Sequence, residues 1–300
     1  MATKYDAAEI GALFKRGENI MQWICSREGS ADNTPTAIAY SYDAQAGSYV
    51  AALKDALVTD LKQKMGRRLA ALFDTLAPLS LLEAGVGEAT SLAPILSAMT
   101  ARPPHVLGFD ISLSRLLFAR HHLAEHGFGN VTLFTSTLDR IPLADSSTDI
   151  VLTIHAIEPN HGQEQAILAE LLRVARRHLV LIEPSYELGS PETRARIERL
   201  GYVRDLPRIL EHLGHPPTRV EPWGLDVNPA NEAALILVEK GDAPPATPPR
   251  FVSPISGRPL VSRPDCWFCP DDGHAFPIIA GIPCLTLENG VLASKLGQFS

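Results

Sequence analysis

Between residues 51 and 241 the apolar positions repeatedly change period. "DALVTDLKQKMGRRLAALFDTL" sets Leu57, Leu61, Met65, Leu69 and Leu72 at helical spacing, the stripe of a helix that packs on one face. Short apolar runs and helix-spaced segments then alternate. "SLLEAG" reads as a strand ending in a glycine turn, "SLAPILSAM" as a helix, "HVLGFD" as a strand, and "SRLLFARHHLAEHG" as a helix closed by Gly127. "VTLFT" and "TDIVLTIHA" read as strands, "QEQAILAELLRVARR" as a long helix and "HLVLIEP" as a strand. Strands alternating with helices predict an α/β fold: a doubly wound, mostly parallel sheet with helices on both faces. "TRVEPWGL" and "EAALILVEK" follow with no helix between them, which predicts a hairpin-like pair and one antiparallel strand near the edge.

The flanks differ in texture. Residues 1–50 are mixed, with a polar break at "SREGSADNTPT", and form a separate N-terminal segment ahead of the main domain at 51–241. "GDAPPATPPR" supplies a proline-rich linker at 242–250, an extended spacer. A small module at 251–290 and a tail at 291–300 complete the chain. The formal net charge of −7 argues against a nucleic-acid partner held by phosphate attraction. The first residues lack the apolar core of a signal peptide, and no apolar run is long enough to span a bilayer. Four cysteines in 300 residues do not read as a disulfide framework. Together these features predict a cytoplasmic protein without a membrane partner.

Chemistry concentrates at "LLEAGVGEAT" (81–90). A strand, an acid, Gly-x-Gly and then a helix aim backbone N–H groups at a ligand, and Gly85 and Gly87 allow close approach. A dinucleotide site needs a third glycine, and Thr90 stands there. Glu83 at the strand end would repel a pyrophosphate but suits a cationic amino-acid ligand. S-adenosylmethionine is such a ligand. Over most of residues 40–240 the chain resembles the class I S-adenosylmethionine-dependent methyltransferases. "LLEAGVGEAT" is similar to their first motif, and "VLGFDIS" to their second strand. "DRIPLADSSTDIVLT" is similar to their "LPFxDxSFDxV" pattern through Ile141, Pro142, Leu143, Asp145, Ser147, Asp149 and Val151.

The resemblance implies a Rossmann-like seven-stranded sheet, S-adenosylmethionine as cofactor and S-adenosylhomocysteine (SAH) as product. It implies that Asp110 holds the ribose hydroxyls, beside Ile111. Where the family often has Gly-Asp near the adenine, this chain has Ser136 and Thr137, so Thr137 and Leu138 are the expected adenine neighbours. "YSYDAQAGSYVAAL" resembles a "YDxxAxxY" segment that covers the cofactor, which makes Tyr42 a cofactor contact and Tyr49 a substrate contact.

Acceptor residues belong on loops at the carboxyl ends of the strands. "TIHAIEPNHG" supplies His155, Glu158, Asn160 and His161; "IEPSYELGS" supplies Glu183, Tyr186 and Glu187. His155 is a candidate general base at the cofactor's edge, oriented by Glu158 or Glu183, while Asn160 and Tyr186 are candidate substrate contacts. Arg194, Arg196, Arg199 and Arg204 follow, and one or two of them can meet an anionic acceptor. The absence of an "NPPY"-type motif disfavours adenine or glutamine amino methylation, and the absence of an acceptor-loop cysteine disfavours cytosine C5 methylation through a covalent adduct. The segments "GENIMQWI…AIAYSYDAQAGSYV", "GVGEAT", "HAIEPNHG" and "EPSYELGS" resemble methyltransferases of bacterial surface-sugar and flagellin-glycan biosynthesis. That resemblance implies a sugar-like small-molecule acceptor, methylated at a hydroxyl or amine.

"FVSPISGRPLVSRPDCWFCPDDGHAFPIIAGIPCL" resembles a small zinc-ribbon family that includes an activator subunit of tRNA and translation-factor methyltransferases. The family's first ligand pair falls here on Ser253 and Ser256, and hydroxyls are poor zinc ligands. A degenerate ribbon without zinc is therefore expected, with no metal site in the chain. Cys266, Cys269, Cys284 and His274 remain the arithmetic alternative. Such a module is expected to dock on its own domain, or on a second copy as a homodimer. Two other functions compete: methylation of tRNA, rRNA or a translation factor, and an inactive cofactor-binding assembly protein.

Overall fold

The computed structural model describes residues 5–241 and 243–299. Four helices come first: α1 (Ala7–Lys15), α2 (Ile20–Glu28), α3 (Pro35–Ala44) and α4 (Ser48–Ala52). Asp6, Asn19 and Thr34 cap the first three, each side-chain oxygen accepting a first-turn N–H. The α/β region then runs α5 (Ala56–Leu76), β1 (Ser80–Ala84), α6 (Leu92–Ala98), β2 (His105–Asp110), α7 (Leu113–Glu125), β3 (Thr132–Thr135) and β4 (Thr148–Ile154). It continues through α8 (Glu164–Val174), β5 (Ala175–Pro184), α9 (Pro191–Leu200), α10 (Leu206–His212), β6 (Arg219–Pro222) and β7 (Ala233–Glu239).

The seven strands form one sheet in the order β3-β2-β1-β4-β5-β7-β6. The first five are parallel, and β7 runs antiparallel to both β5 and β6. The reversed strand thus lies one in from the edge that β6 forms. Strand order switches direction between β1 and β4, which opens a crevice at their carboxyl ends.

Both faces are packed. On one, Met65, Leu69 and Phe73 of α5 and Leu116 of α7 meet the sheet; on the other, Leu168 and Leu171 of α8 and Leu210 of α10 do. The α5 stripe is shorter than its spacing predicts. Leu57, in the first turn of α5, is 75% exposed, and Leu61 lines the crevice instead of the core.

The C-terminal module is a small antiparallel ribbon of β8 (Val261–Ser262), β9 (Cys266–Phe268), β10 (His274–Ile279), β11 (Ile282–Pro283) and β12 (Val291–Leu292). Its apolar side is continuous with the core of the main domain: Leu260, Cys269, Phe276 and Leu285 join the cluster that contains Phe134, Ile141 and Leu143. Phe251 stacks edge-on between Phe134 and Trp267, with ring centroids 5.1 and 4.8 Å away. The backbone joins the contact. Leu285 N donates to Thr135 O at 3.2 Å, Val252 N to Pro142 O at 3.0 Å and Ala144 N to Arg250 O at 3.0 Å.

The three ribbon cysteines do not converge. Cys266 pairs with Pro277 across β9 and β10, Cys284 bridges Thr135, and Cys269 lies 3.9 Å from Ser256 Oγ. The side chain that meets Ser256 and Cys269 is Asp272, whose Oδ2 accepts from Ser256 Oγ at 2.5 Å. Burial pushes the Asp272 carboxyl up, but hydrogen bonds from Ser253, Ser256, His274 N and Cys269 outweigh it and bring its pKa to about 2. Among the described residues, no group of three or more histidine, cysteine or acidic side chains is arranged to hold a metal ion.

Candidate active site

A cavity of about 460 Å³ opens at the carboxyl ends of β1, β2 and β4 and is roofed by α3 and α4. Its floor is the turn after β1. Gly85 (φ 73°) and Gly87 (φ 55°) are both left-handed, which glycine adopts without strain. A Cβ on Gly85 would stand 2.4 Å from the Cβ of Ala156, so the turn touches the chain leaving β4. Asp110, ending β2, accepts from Gly87 N at 3.0 Å and Ser112 N at 2.9 Å. Burial raises its pKa, and Arg115 and these N–H groups work against that rise.

Glu83 tests whether the cofactor class fits. It is 2% exposed, lines the cavity, and its Oε2 has no hydrogen-bond partner among the described residues. Burial drives its pKa to about 8, lowered by Lys62 and raised by Asp110. A buried carboxylate with an orphaned oxygen is costly unless a cation meets it, and the cofactor's ammonium is such a cation. Ile111, Thr137 and Leu138 line the same cavity.

The N-terminal helices are tied down over this floor. Glu88, just past the glycine turn, accepts from Gly47 N at 2.9 Å and Val50 N at 2.7 Å. Ser112 Oγ donates to Asp43 at 2.8 Å. The buried Arg115 guanidinium lies between the rings of Tyr42 and Tyr49, 4.7 and 4.3 Å from their centroids, and its Nε donates to Tyr42 O. Both tyrosines line the cavity.

The other half of the cavity begins at His155, directly after β4. Its backbone is left-handed (φ 53°), and its N donates to Ile182 O at 2.9 Å. Its Nδ1 lies 3.1 Å from Glu158 Oε2, and Asn231 Nδ2 reaches that same carboxylate oxygen at 3.2 Å. With Nδ1–H donated to Glu158, Nε2 is left as the basic nitrogen. Burial lowers the His155 pKa, but the hydrogen bond and charge of Glu158, with the charge of Glu183, leave it raised.

Glu183 acts on the His155 turn from outside the cavity. It is fully buried, does not line the cavity, and accepts from Ala156 N at 3.0 Å and Ile157 N at 3.2 Å, so it shapes the turn that carries His155. Burial raises its pKa to about 7. Tyr186 is also outside the cavity: its hydroxyl donates to Glu198 at 2.8 Å, under Arg204. Asn160 lines the cavity, with its amide donating to Ala156 O and Ile157 O. Of Arg194, Arg196, Arg199 and Arg204, only Arg196 lines it, with Nε donating to Asn231 at 3.2 Å. Lys62, Arg115, Trp223, Asp226 and Asn231 also line the cavity and carry no sequence motif.

Residues 81–178 match the family model described as a methyltransferase domain. The chain carries a methyltransferase domain. Its matched stretch runs from the strand that presents Glu83 to the start of the strand that presents Glu183, so it spans the glycine turn, Asp110 and His155. Among solved structures, the chain is similar to magnesium protoporphyrin IX methyltransferase from Synechocystis PCC 6803 with bound SAH, at 15% identity over 79% of this chain and 100% of that one, TM-score 0.48. It is also similar to a putative sarcosine dimethylglycine methyltransferase from Galdieria sulphuraria, at 12% identity over 60% and 86%, TM-score 0.48. A SAM-dependent methyltransferase from Aquifex aeolicus aligns at 23% identity over 53% and 80%, TM-score 0.38. Among curated protein sequences, none matches the chain significantly. Among the described residues, no helix is long and apolar enough to cross a membrane.

Proposed function

We propose that the protein transfers a methyl group from S-adenosylmethionine to a hydroxyl or amine of a small polar acceptor, a sugar or acidic sugar of surface-glycan biosynthesis. The observation that carries this reading is one cavity holding both an acidic, glycine-floored cradle and a histidine tethered to a carboxylate. When bound, the cofactor supplies a methyl group already activated on a sulfonium. Glu83 receives the ammonium of the amino-acid half, and Asp110 the ribose hydroxyls. Tyr42, Tyr49 and the helices that bear them exclude water. His155 Nε2 takes the proton that the acceptor releases, and Glu158 stabilises the imidazolium that forms.

The sugar assignment draws support from the polar lining of the acceptor half. Asn160, Asp226, Asn228 and Asn231 offer the donors and acceptors that a polyol needs, and Arg196 offers a cation for a carboxylate. Transfer of label from methyl-labelled S-adenosylmethionine into a panel of nucleotide-linked and acidic sugars, with tRNA beside them, tests it. Label is expected in one or more sugars. Label in tRNA instead would replace this acceptor class with the nucleic-acid one.

A further inference from the structure

We infer that Lys62 binds the carboxylate of the cofactor's methionine half, opposite the Glu83 that receives its ammonium; the inference rests on the cofactor reading above. The amino-acid end of S-adenosylmethionine is a zwitterion, and a buried zwitterion needs a partner for each charge. Glu83 supplies only one of them. Lys62, the seventh residue of α5, lines the same cavity. Its Nζ donates to Ser91 Oγ at 2.8 Å, which uses one of three N–H donors. Among the described residues, no carboxylate comes within ion-pairing distance of that ammonium, although Glu83 is near enough to act on it through space.

Each charge is poorly compensated in the free protein, and in opposite senses. Burial pushes the Glu83 carboxyl up toward its neutral form and the Lys62 ammonium down toward its own. An arriving ammonium and carboxylate reverse both tendencies at once. Ser91, just past the glycine turn, holds Nζ and lines the cavity with Thr90. A lysine that only neutralised Glu83 would be expected to form a direct ion pair with it, and Lys62 reaches for Ser91 instead.

Calorimetric titration of the full-length protein with two ligands decides the matter. SAH has the amino-acid end, and 5′-methylthioadenosine lacks it. Lys62→Met is expected to weaken SAH about 10- to 100-fold, the loss of one charge-assisted contact. Its affinity for 5′-methylthioadenosine should stay within about twofold, which also reports that the site is folded, and Lys62→Arg should recover most of the SAH affinity. Equal weakening of both ligands, or an SAH affinity unchanged in Lys62→Met, overturns the assignment. Wild-type protein that binds neither ligand removes the cofactor reading itself, and this inference with it.

Discussion

Gly85→Ala isolates the closest approach in the site. Two costs add. A left-handed φ of 73° strains an L-residue by about 1–2 kcal/mol. The new Cβ would also lie 2.4 Å from the Cβ of Ala156, where ordinary contact begins at 3.4 Å, and overpacking of this kind costs about 1–3 kcal/mol. The expected loss is therefore about 2–5 kcal/mol of a stability typically between about 5 and 15. The overlap falls on the residue after His155, so the imidazole should shift along with the floor. Ala156→Gly removes the clashing atom at a cost of about 0.4–1 kcal/mol by itself. Urea unfolding of both single variants and the double variant should show a favourable coupling of about 1–3 kcal/mol, the overlap component, while the φ strain persists. SAH titration should follow the same order, with binding lost in Gly85→Ala and partly restored in the double variant. Purely additive free energies would refute contact between the two turns as the source of the loss.

Other consequences are testable. In its proposed role as base His155 must be neutral, and Glu158 raises its pKa above the ordinary 6.5, so kcat should rise with pH through that raised value. Glu158→Gln removes both the charge and the anionic acceptor, and the acid limb of the kcat profile should move to lower pH; a limb that stays put would show that another group titrates. In the ribbon, hydrogen bonds close the cluster of Ser253, Ser256, Cys269 and Asp272. Dialysis against EDTA should leave Tm unchanged, whereas Phe276→Ala, at a fully buried position, should cost about 3–5 kcal/mol. A drop in Tm on chelation would reveal a bound metal.

The alternation of strands and helices was legible because the inner strands β1, β4 and β7 are buried on both faces and helices such as α5 and α8 on one, which writes distinct periods into the chain. The glycine turn was legible because its left-handed φ values and its contact with Ala156 restrict the residue type. Insertion of β7 between β5 and β6 was not, since a helix-free pair shows that a strand reverses but not on which side it lands. Glu183 was legible as a residue that orients His155, but not that it does so through two backbone amides, since a buried acid at a strand end reads alike whether it faces a ligand or the main chain. Lys62 and Asn231 were missed for a simpler reason. A lysine among the polar residues of an amphipathic helix, and an asparagine in a loop 76 residues beyond His155, acquire meaning only when the fold places them in the cavity. The ribbon's Cys-x-x-Cys drew notice to Cys266, while the equal spacing from Cys269 to Asp272 marks the residues that meet the serines.

The contact between Leu285 and Thr135 has a consequence for solubility. β3 is an outer strand of the sheet, and an outer strand offers unpaired N–H and C=O groups to any extended chain that drifts past. Here Cys284 and Leu285 occupy part of that margin, in parallel bridge geometry, and Phe251 covers Phe134 behind it. The C-terminal module therefore acts as a permanently tethered guard strand. A chain cut in the proline-rich linker would keep the residues that line the cavity yet expose a templating edge beside an uncovered apolar patch, and self-association would compete with folding before any loss of chemistry could be measured.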